Sequence, residues 1–488
     1  MNPAYRLSRF HVVSPPVGDQ KQAGRLRRVL FGTRKAKAHL IDDAAWAALA
    51  EGAWDALPRE VRDALVESDI LVPADEDELQ TILDENAAAA RDDRSLYLVV
   101  QPTAWCQLGC TYCGQRHTQE MLGAENQNRL VERVRQGLAS GRYACLQVCW
   151  FGGEPLAGLT IMRTLSRRFR AAAADYGCAY DAKMVTNGLL LTPEIAEEVV
   201  REMATSRIEV TIDGTAEYHD RRRPAKNGAG TFDRIFANVV ALLERKEKRG
   251  QSPFADTARG QAAVDGANGD SPLFSPPALS IRCNVDPQNR AGVRPLLERF
   301  AAAGVQGGLE SFYVAPVFNW GNDAGQQNVT REEFARWEVE WFVAMFKLGF
   351  PVAVLPQREK TGCLAMKPDA ELVDPHGVLF KCSEVPLVPA YEQPALRNSL
   401  GCAGGCATNR YAVGDLERGI DPERFAFRDF SDRIRRGEYP CHECALLPSC
   451  GGYCPKKWDD GDVPCPAFKY NIEQRLLLAY AIGRLGTT

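Results

Sequence analysis

The chain has 488 residues, 45% of them hydrophobic and 25% charged, and its 59 basic and 63 acidic side chains leave a net charge of −4. So even a balance argues against a nucleic-acid coat or a general polyanion binder. No apolar run approaches the roughly 20 residues that span a bilayer, and Met1–Val13 lacks an export-signal pattern, so a cytoplasmic protein of about three domains is expected, with no membrane and no nucleic acid among its partners.

Residues 1–92 read as a first, α+β unit. A β-hairpin is predicted over Arg25–Ile41, short helices over Ala44–Leu49 and Leu57–Leu65, and an apolar step at Ile70-Leu71-Val72. Asp75-Glu76-Asp77-Glu78 opens a third helix, since acidic residues suit the unpaired N–H groups of a helix start. Seven basic residues and no acidic one fall between Lys21 and Lys37, which makes the hairpin a solvated face or a binding edge.

From Leu96 apolar runs alternate with amphipathic stretches. Strands are predicted at Leu96–Gln101, Gln147–Phe151, Lys183–Thr186, Ile208–Ile212, Ser280–Val285 and Glu310–Val314. Helices are predicted at Asn126–Leu138, Thr160–Asp175, Thr192–Met203, Thr231–Lys248 and Ala291–Ala303. Such alternation implies βαβ units and a mostly parallel sheet, an α/β fold of six units forming an open or partial barrel over 93–350. Residues 251–278, rich in Gly, Pro, Ser, Asp and Ala without periodicity, read as a mobile surface insertion. Thr330 and Glu333 form a capping box for a helix to Leu348. The third unit, 351–488, is loop-rich and cysteine-rich, with an apolar helix at Ile472–Leu485.

Sixteen cysteines are far more than such a chain needs, and they are clustered. Without an export signal, metal or redox chemistry is a better account of them than disulfides. Cys145, Cys149, Cys178 and Cys283 lie in apolar segments and read as small buried hydrophobes. Cys106, Cys110 and Cys113 follow a buried strand in CxxxCxxC spacing. Three thiolates on a glycine-containing loop can wrap one cubic iron–sulfur cluster and leave one iron open to a ligand. A zinc site would want a fourth ligand, such as His117. The next strand ends in Phe151-Gly152-Gly153-Glu154-Pro155, whose glycines admit a ligand to the backbone and whose carboxylate can accept from an ammonium group. Loops at the C-terminal ends of parallel barrel strands gather on the face where active sites sit.

At these residues the sequence resembles the radical S-adenosylmethionine (SAM) enzymes, over roughly 96–465. The resemblance implies that Cys106, Cys110 and Cys113 hold a [4Fe–4S] cluster whose open iron binds SAM, with Tyr112 near the adenine and Gly152, Gly153 and Glu154 holding the methionyl amine. Thr186 and Asn187, in Thr-Asn-Gly, match a segment near the SAM ribose and carboxylate. The stretch from Val210 through Asp213-Gly214, His219-Asp220 and Arg223-Pro224 is similar to one common among peptide-modifying members, and Asp213 is a catalytic candidate.

The later cysteines run Cys363, thirteen residues to Gly377, four to Cys382, then Cys441-x2-Cys444-x5-Cys450-x3-Cys454 and Cys465. This order resembles the SPASM domain of radical SAM enzymes that modify peptides and proteins; the alternative is a zinc ribbon. The resemblance implies two auxiliary iron–sulfur clusters, an outer one on Cys441, Cys444, Cys450 and Cys465 and an inner one on Cys363, Cys382 and Cys454. The inner cluster's fourth ligand is Cys402, Cys406 or none, the iron then staying open; both thiols are otherwise plain loop residues. Sulfatase-maturing members have an aspartate base after the counterpart of Cys382. Here Ser383 follows, which disfavours that activity, although Glu384 can serve as the base.

The order of hairpin and three helices resembles a winged-helix recognition element of enzymes that mature ribosomally made peptides (RiPPs), where a precursor's leader adds as a strand to an open sheet edge. The basic hairpin would suit an acidic leader; a plain packing domain is the alternative. Together the resemblances imply a radical SAM/SPASM peptide maturase that makes a 5′-deoxyadenosyl radical, abstracts hydrogen from a precursor peptide and installs a C–C, C–O or C–S crosslink, reduced by a partner such as flavodoxin or ferredoxin. Rival readings are epimerisation quenched by a thiol such as Cys402 or Cys406, sulfatase maturation or quinone-cofactor assembly, and a zinc-stabilised peptide-binding scaffold.

Overall fold

The computed structural model describes residues 5–19, 22–250, 277–319, 329–393 and 408–483. The first unit comprises β1 (Tyr5–Leu7), β2 (His11–Val13), β3 (Val17–Gly18), β4 (Leu26–Gly32), β5 (Lys37–Asp42), α1 (Asp43–Ala50), α2 (Arg59–Glu67), β6 (Leu71–Pro73) and α3 (Glu78–Arg91). The predicted hairpin is β4–β5, paired antiparallel from Arg27↔Asp42 to Gly32↔Lys37. The other edge of β4 is shared by β2 and β3, and β1 pairs with β6. Strands β1 to β3 went unpredicted because two or three residues are too few to show a period of two.

Five of the seven basic residues of the run are paired with carboxylates of the same unit. Arg25 pairs with Asp42 at 2.6 Å, Arg27 with Asp19 at 3.2 Å and Arg28 with Asp43 at 2.5 Å. Arg34 pairs with Glu76 at 2.9 Å and Lys35 with Asp69 at 3.1 Å. Those carboxylates lie outside the run in sequence and come alongside only when strands and helices pack.

The second unit alternates strand and helix: β7 (Ser95–Val100), α4 (Ala124–Leu138), β8 (Cys145–Trp150), α5 (Leu159–Asp175), β9 (Ala179–Thr186), α6 (Pro193–Arg201), β10 (Thr205–Thr211), α7 (Ala216–Arg222), α8 (Phe232–Gly250), β11 (Ala278–Val285), α9 (Val293–Ala302), β12 (Ser311–Pro316) and α10 (Arg331–Lys347). The six strands run parallel in the order β12-β11-β10-β9-β8-β7. Alternate residues such as Leu98, Val148, Met184, Val210 and Ile281 enter the core shared with the helices. Their neighbours Tyr97, Gln147, Lys183, Glu209 and Arg282 line a cavity on the opposite face, as the period of a strand requires. Thr192 caps α6 by accepting from Ile195 N, and Thr330 with Glu333 forms the predicted capping box of α10. The predicted insertion at 251–278 lies almost wholly outside the described residues.

The third unit contains β13 (Glu371–Val373), β14 (Val378–Phe380), β15 (Glu392–Gln393), β16 (Thr408–Asn409), β17 (Ala412–Asp415), β18 (Gly419–Ile420), α11 (Phe430–Arg435), α12 (Leu447–Cys450), α13 (Pro455–Asp459) and α14 (Phe468–Ala481). Strand β13 lies parallel to β7, and β14, β17 and β18 continue antiparallel, so the barrel sheet extends into this unit. Helix α14 starts earlier than predicted and packs on α10, while its Leu476 meets Val29 and Phe31 of the first unit. Among the described residues no helix is long and apolar enough to cross a membrane.

Candidate active site and cysteine centres

The loop carrying Cys106, Cys110 and Cys113 leaves β7 and is pinned on both sides. Gly109 N donates to Pro224 O at 2.8 Å and Thr111 N to Arg222 O at 2.9 Å, so the segment after α7 runs beside it. Glu154 N donates to Trp105 O at 2.9 Å. A Cβ at Gly153 would meet that same oxygen at 2.6 Å, and one at Gly152, where φ is +110°, would meet the Gln101 side chain at 2.8 Å. These glycines let the loop after β8 lie against the cysteine loop.

Glu154 is fully buried. Its Oε1 accepts from Leu156 N at 3.0 Å and Thr186 Oγ1 at 2.7 Å, and its Oε2 from Asn187 N at 2.8 Å. Burial pushes its carboxyl up against those donors. The carboxylate expected to meet a ligand's ammonium also braces the loop after β8 to the end of β9, and Gly152, Gly153, Thr186 and Asn187 form the cavity wall beside it. Asn187 Nδ2 lies 3.6 Å from Cys106 Sγ, and its Oδ1 accepts from Gln107 Nε2 at 3.2 Å.

Tyr112 is a hub. Its hydroxyl donates to Asp213 Oδ2 at 2.5 Å and accepts from Arg223 Nη1 at 2.6 Å and Asn284 Nδ2 at 3.0 Å. Asp213, fully buried, also accepts at Oδ1 from Asn284 N at 2.9 Å, and its own N–H donates to His219 Nδ1 at 3.1 Å. Both oxygens of this catalytic candidate are therefore occupied; it positions Tyr112 and the end of β11, and it is not part of the cavity wall. Sequence reading missed Asn284, whose signal was a polar residue at the C-terminal end of an apolar strand.

Burial raises the Cys106 thiol to about 12 and the Cys110 thiol to about 11, and raises that of Cys113. The charge of Arg223 opposes this at all three. Arg223 is itself buried, and its Nε has no hydrogen-bond partner among the described residues. Three thiols with an amide N–H on one sulfur, and beside them a buried guanidinium with one N–H unpartnered among the described residues, fit an anionic, thiolate-held cluster. No three His, Cys, Asp or Glu groups among the described residues converge on one ion position; a cubic cluster, with one thiolate per iron, needs no such convergence. His117 Nε2 stands 3.6 Å from Cys113 Sγ, and burial lowers its pKa to about 4.

A cavity of about 580 Å³ extends from the three cysteines along the inner barrel face to Cys363, Ser383 and Glu384 of the third unit. Burial pushes the Glu384 carboxyl up, and Arg282 opposes it. Lys183 lies 4.9 Å over the Tyr97 ring, and Glu209 accepts from Tyr313 Oη at 2.6 Å. These residues were unpredicted, although charged positions at alternate places in apolar strands were their signal. Cys149 is buried as expected but also lines this cavity.

The later cysteines fall into two groups. Cys441, Cys444, Cys450 and Cys465 line one small cavity with Lys469, whose Nζ donates to Cys465 Sγ at 3.4 Å. Burial, then the neighbouring thiols, raises Cys441 to about 12; burial raises Cys450 to about 12 as well, there opposed first by Gly452 N–H. Cys363, Cys382 and Cys454 lie close enough to act on one another electrostatically, and the N–H groups of Lys456 and Lys457 meet the Cys454 sulfur. Every described cysteine is free of disulfides. Cys402 and Cys406 lie outside the described residues.

Residues 100–248 match the radical SAM superfamily model. The chain is 29% identical over 252 residues to the serine-type anaerobic sulfatase-maturating enzyme of Bacteroides thetaiotaomicron, covering 47% of this chain and 55% of that protein. It is 32% identical over 143 residues to the AdoMet-dependent heme synthase of Methanosarcina barkeri, covering 29% of this chain and 37% of that one. The matched regions thus span between about a third and about half of these relatives. The solved structure of native anSMEcpe with bound AdoMet and Cp18Cys peptide shares the fold, with a TM-score of 0.53 at 17% identity over 80% of this chain and 98% of that one. Residues 100–248 are accordingly a radical SAM domain, and the chain that carries it is an enzyme.

Proposed function

We propose that the chain matures a ribosomally made peptide by radical SAM chemistry, installing a C–C, C–O or C–S crosslink. The observation that carries this reading is the cavity of about 580 Å³ that joins the three-cysteine rim to Cys363 and Glu384 across the barrel, so that one bound segment could face both. A radical SAM domain implies a [4Fe–4S] cluster and SAM, and these residues fit them: Cys106, Cys110 and Cys113 as ligands, with Tyr112, Gly152, Gly153, Thr186 and Asn187 around the cofactor. When bound, the pair supplies a 5′-deoxyadenosyl radical able to take hydrogen from an unactivated carbon. The chain's own part is to hold the peptide's C–H toward the rim, to keep water from the cavity and, at Glu384, to receive a proton.

In this reading Cys441, Cys444, Cys450 and Cys465 hold an outer auxiliary cluster, and Cys363, Cys382 and Cys454 an inner one whose fourth ligand is Cys402, Cys406 or a substrate group. The first unit is a winged-helix-like recognition element that receives a leader along β5, whose only strand partner among the described residues is β4. A small one-electron carrier such as flavodoxin or ferredoxin reduces the enzyme. Sulfatase maturation is the second reading, favoured by the sulfatase-maturating relative and by the Glu384 carboxyl in the cavity, and weakened by Ser383 at the place of the usual aspartate.

Anaerobically purified protein is expected to carry about twelve irons in three cubic clusters and to form 5′-deoxyadenosine from SAM and dithionite, while the Cys106/Cys110/Cys113 triple alanine forms none. A wild type that forms none ends the proposal. Co-expression with any short reading frame found beside the gene, or with a sulfatase, then separates the outcomes by mass: loss of two hydrogens for a crosslink, no change for epimerisation, and a formylglycine in a sulfatase for the second reading.

A further inference from the structure

Two surfaces that look unrelated in sequence meet at the four-cysteine centre. Phe10, Ile82 and Leu83 of the first unit form one apolar cluster with Leu447, Trp458, Cys441 and Cys465. Phe10 and Ile82 are fully buried there. Two hydrogen bonds fix the cysteine-bearing loop to the same unit. Thr33, just after β4, donates from Oγ1 to Ala445 O at 2.7 Å, and Arg9 donates to His442 O. Arg358, which donates to Asn86 of α3 at 2.8 Å, also donates to Pro448 O at 2.8 Å. The loop from Cys441 to Cys450 is therefore held at three carbonyls, two of them directly by the first unit and the third through a side chain anchored on it.

We infer that the first unit completes the outer cysteine centre: Phe10, Ile82 and Leu83 roof it and Thr33 is a positioning residue for the loop between Cys444 and Cys450. This rests on the proposal that these four cysteines hold a cluster. An apolar roof keeps water from an anionic cluster and so disfavours its more negative, reduced form; opening the roof makes the reduction potential less negative.

The test uses full-length, anaerobically purified protein, with iron and sulfide content, redox titration followed by electron paramagnetic resonance, and peptide-free 5′-deoxyadenosine formation as readouts. Phe10→Ala is expected to shift one cluster's potential to less negative values and to lose up to about a third of the iron, one cubic cluster of three. Thr33→Ala shifts the same signal in the same direction, and Thr33→Ser restores it. Peptide-free 5′-deoxyadenosine formation stays within about twofold throughout, because the first cluster's site is separate. Unchanged potential and iron in both Phe10→Ala and Thr33→Ala, with wild type carrying three clusters, overturns the inference. An iron content that stays at the wild-type level when Cys441 and Cys444 are replaced with alanine instead overturns the cluster reading beneath it.

Discussion

Gly153 has no room for even one more carbon: a Cβ there would sit 2.6 Å from a main-chain oxygen of the cysteine loop. Gly153→Ala must therefore push Trp105 and break the register that Glu154 N keeps with it. Such overpacking costs about 1–3 kcal/mol, and because the displaced backbone carries Cys106, 5′-deoxyadenosine formation is expected to fall by about tenfold or more, an effect of about 1.4 kcal/mol or more on the barrier. Thermal unfolding and product assay together check this. At this scale the cysteine spacing and the Gly-Gly-Glu-Pro run were legible, since both are local. The partners of Glu154 and Asp213 were not, because each carboxylate is engaged by donors from other strand ends that meet only in the folded sheet.

The turn joining β13 to β14 shows what a single element adds. Asp374 is buried there, and its Oδ1 accepts from His376 N and Val378 N, both at 2.9 Å. Burial raises its pKa to about 6, above the roughly 3.9 of an unfolded chain. The native state then keeps the proton to higher pH than the unfolded state does. The stability this contributes is complete below about pH 4 and is lost as pH rises to about 6. Asp374→Asn, which keeps the acceptor oxygen, is expected to lack this slope. Urea midpoints for the two proteins between pH 4 and 7 measure the difference, and parallel curves refute it. The long helices and the six barrel strands were legible from periodicity and capping residues such as Thr192 and Thr330. Strand β13 was not, because three residues take their place from β7 rather than from any pattern of their own.

At the scale of the molecule, α14 ties all three units together, with α10 on one side and β4 on the other. Leu476 is fully buried where α14 meets the first unit. Leu476→Ala is expected to cost about 2–5 kcal/mol and to release the first unit to protease before the barrel opens, as partial digestion followed by mass spectrometry would record. That the third unit is woven into both others was hidden, since the cysteine pattern marks ligands and says nothing of which strands lie beside them. The barrel sheet itself carries a further implication. With β7 joined to β13 rather than to β12, the ring of strands has a lengthwise gap. If the cavity takes the peptide proposed above, entry along this gap would leave both of the peptide's ends outside, and the reacting residue could then come from the middle of a chain.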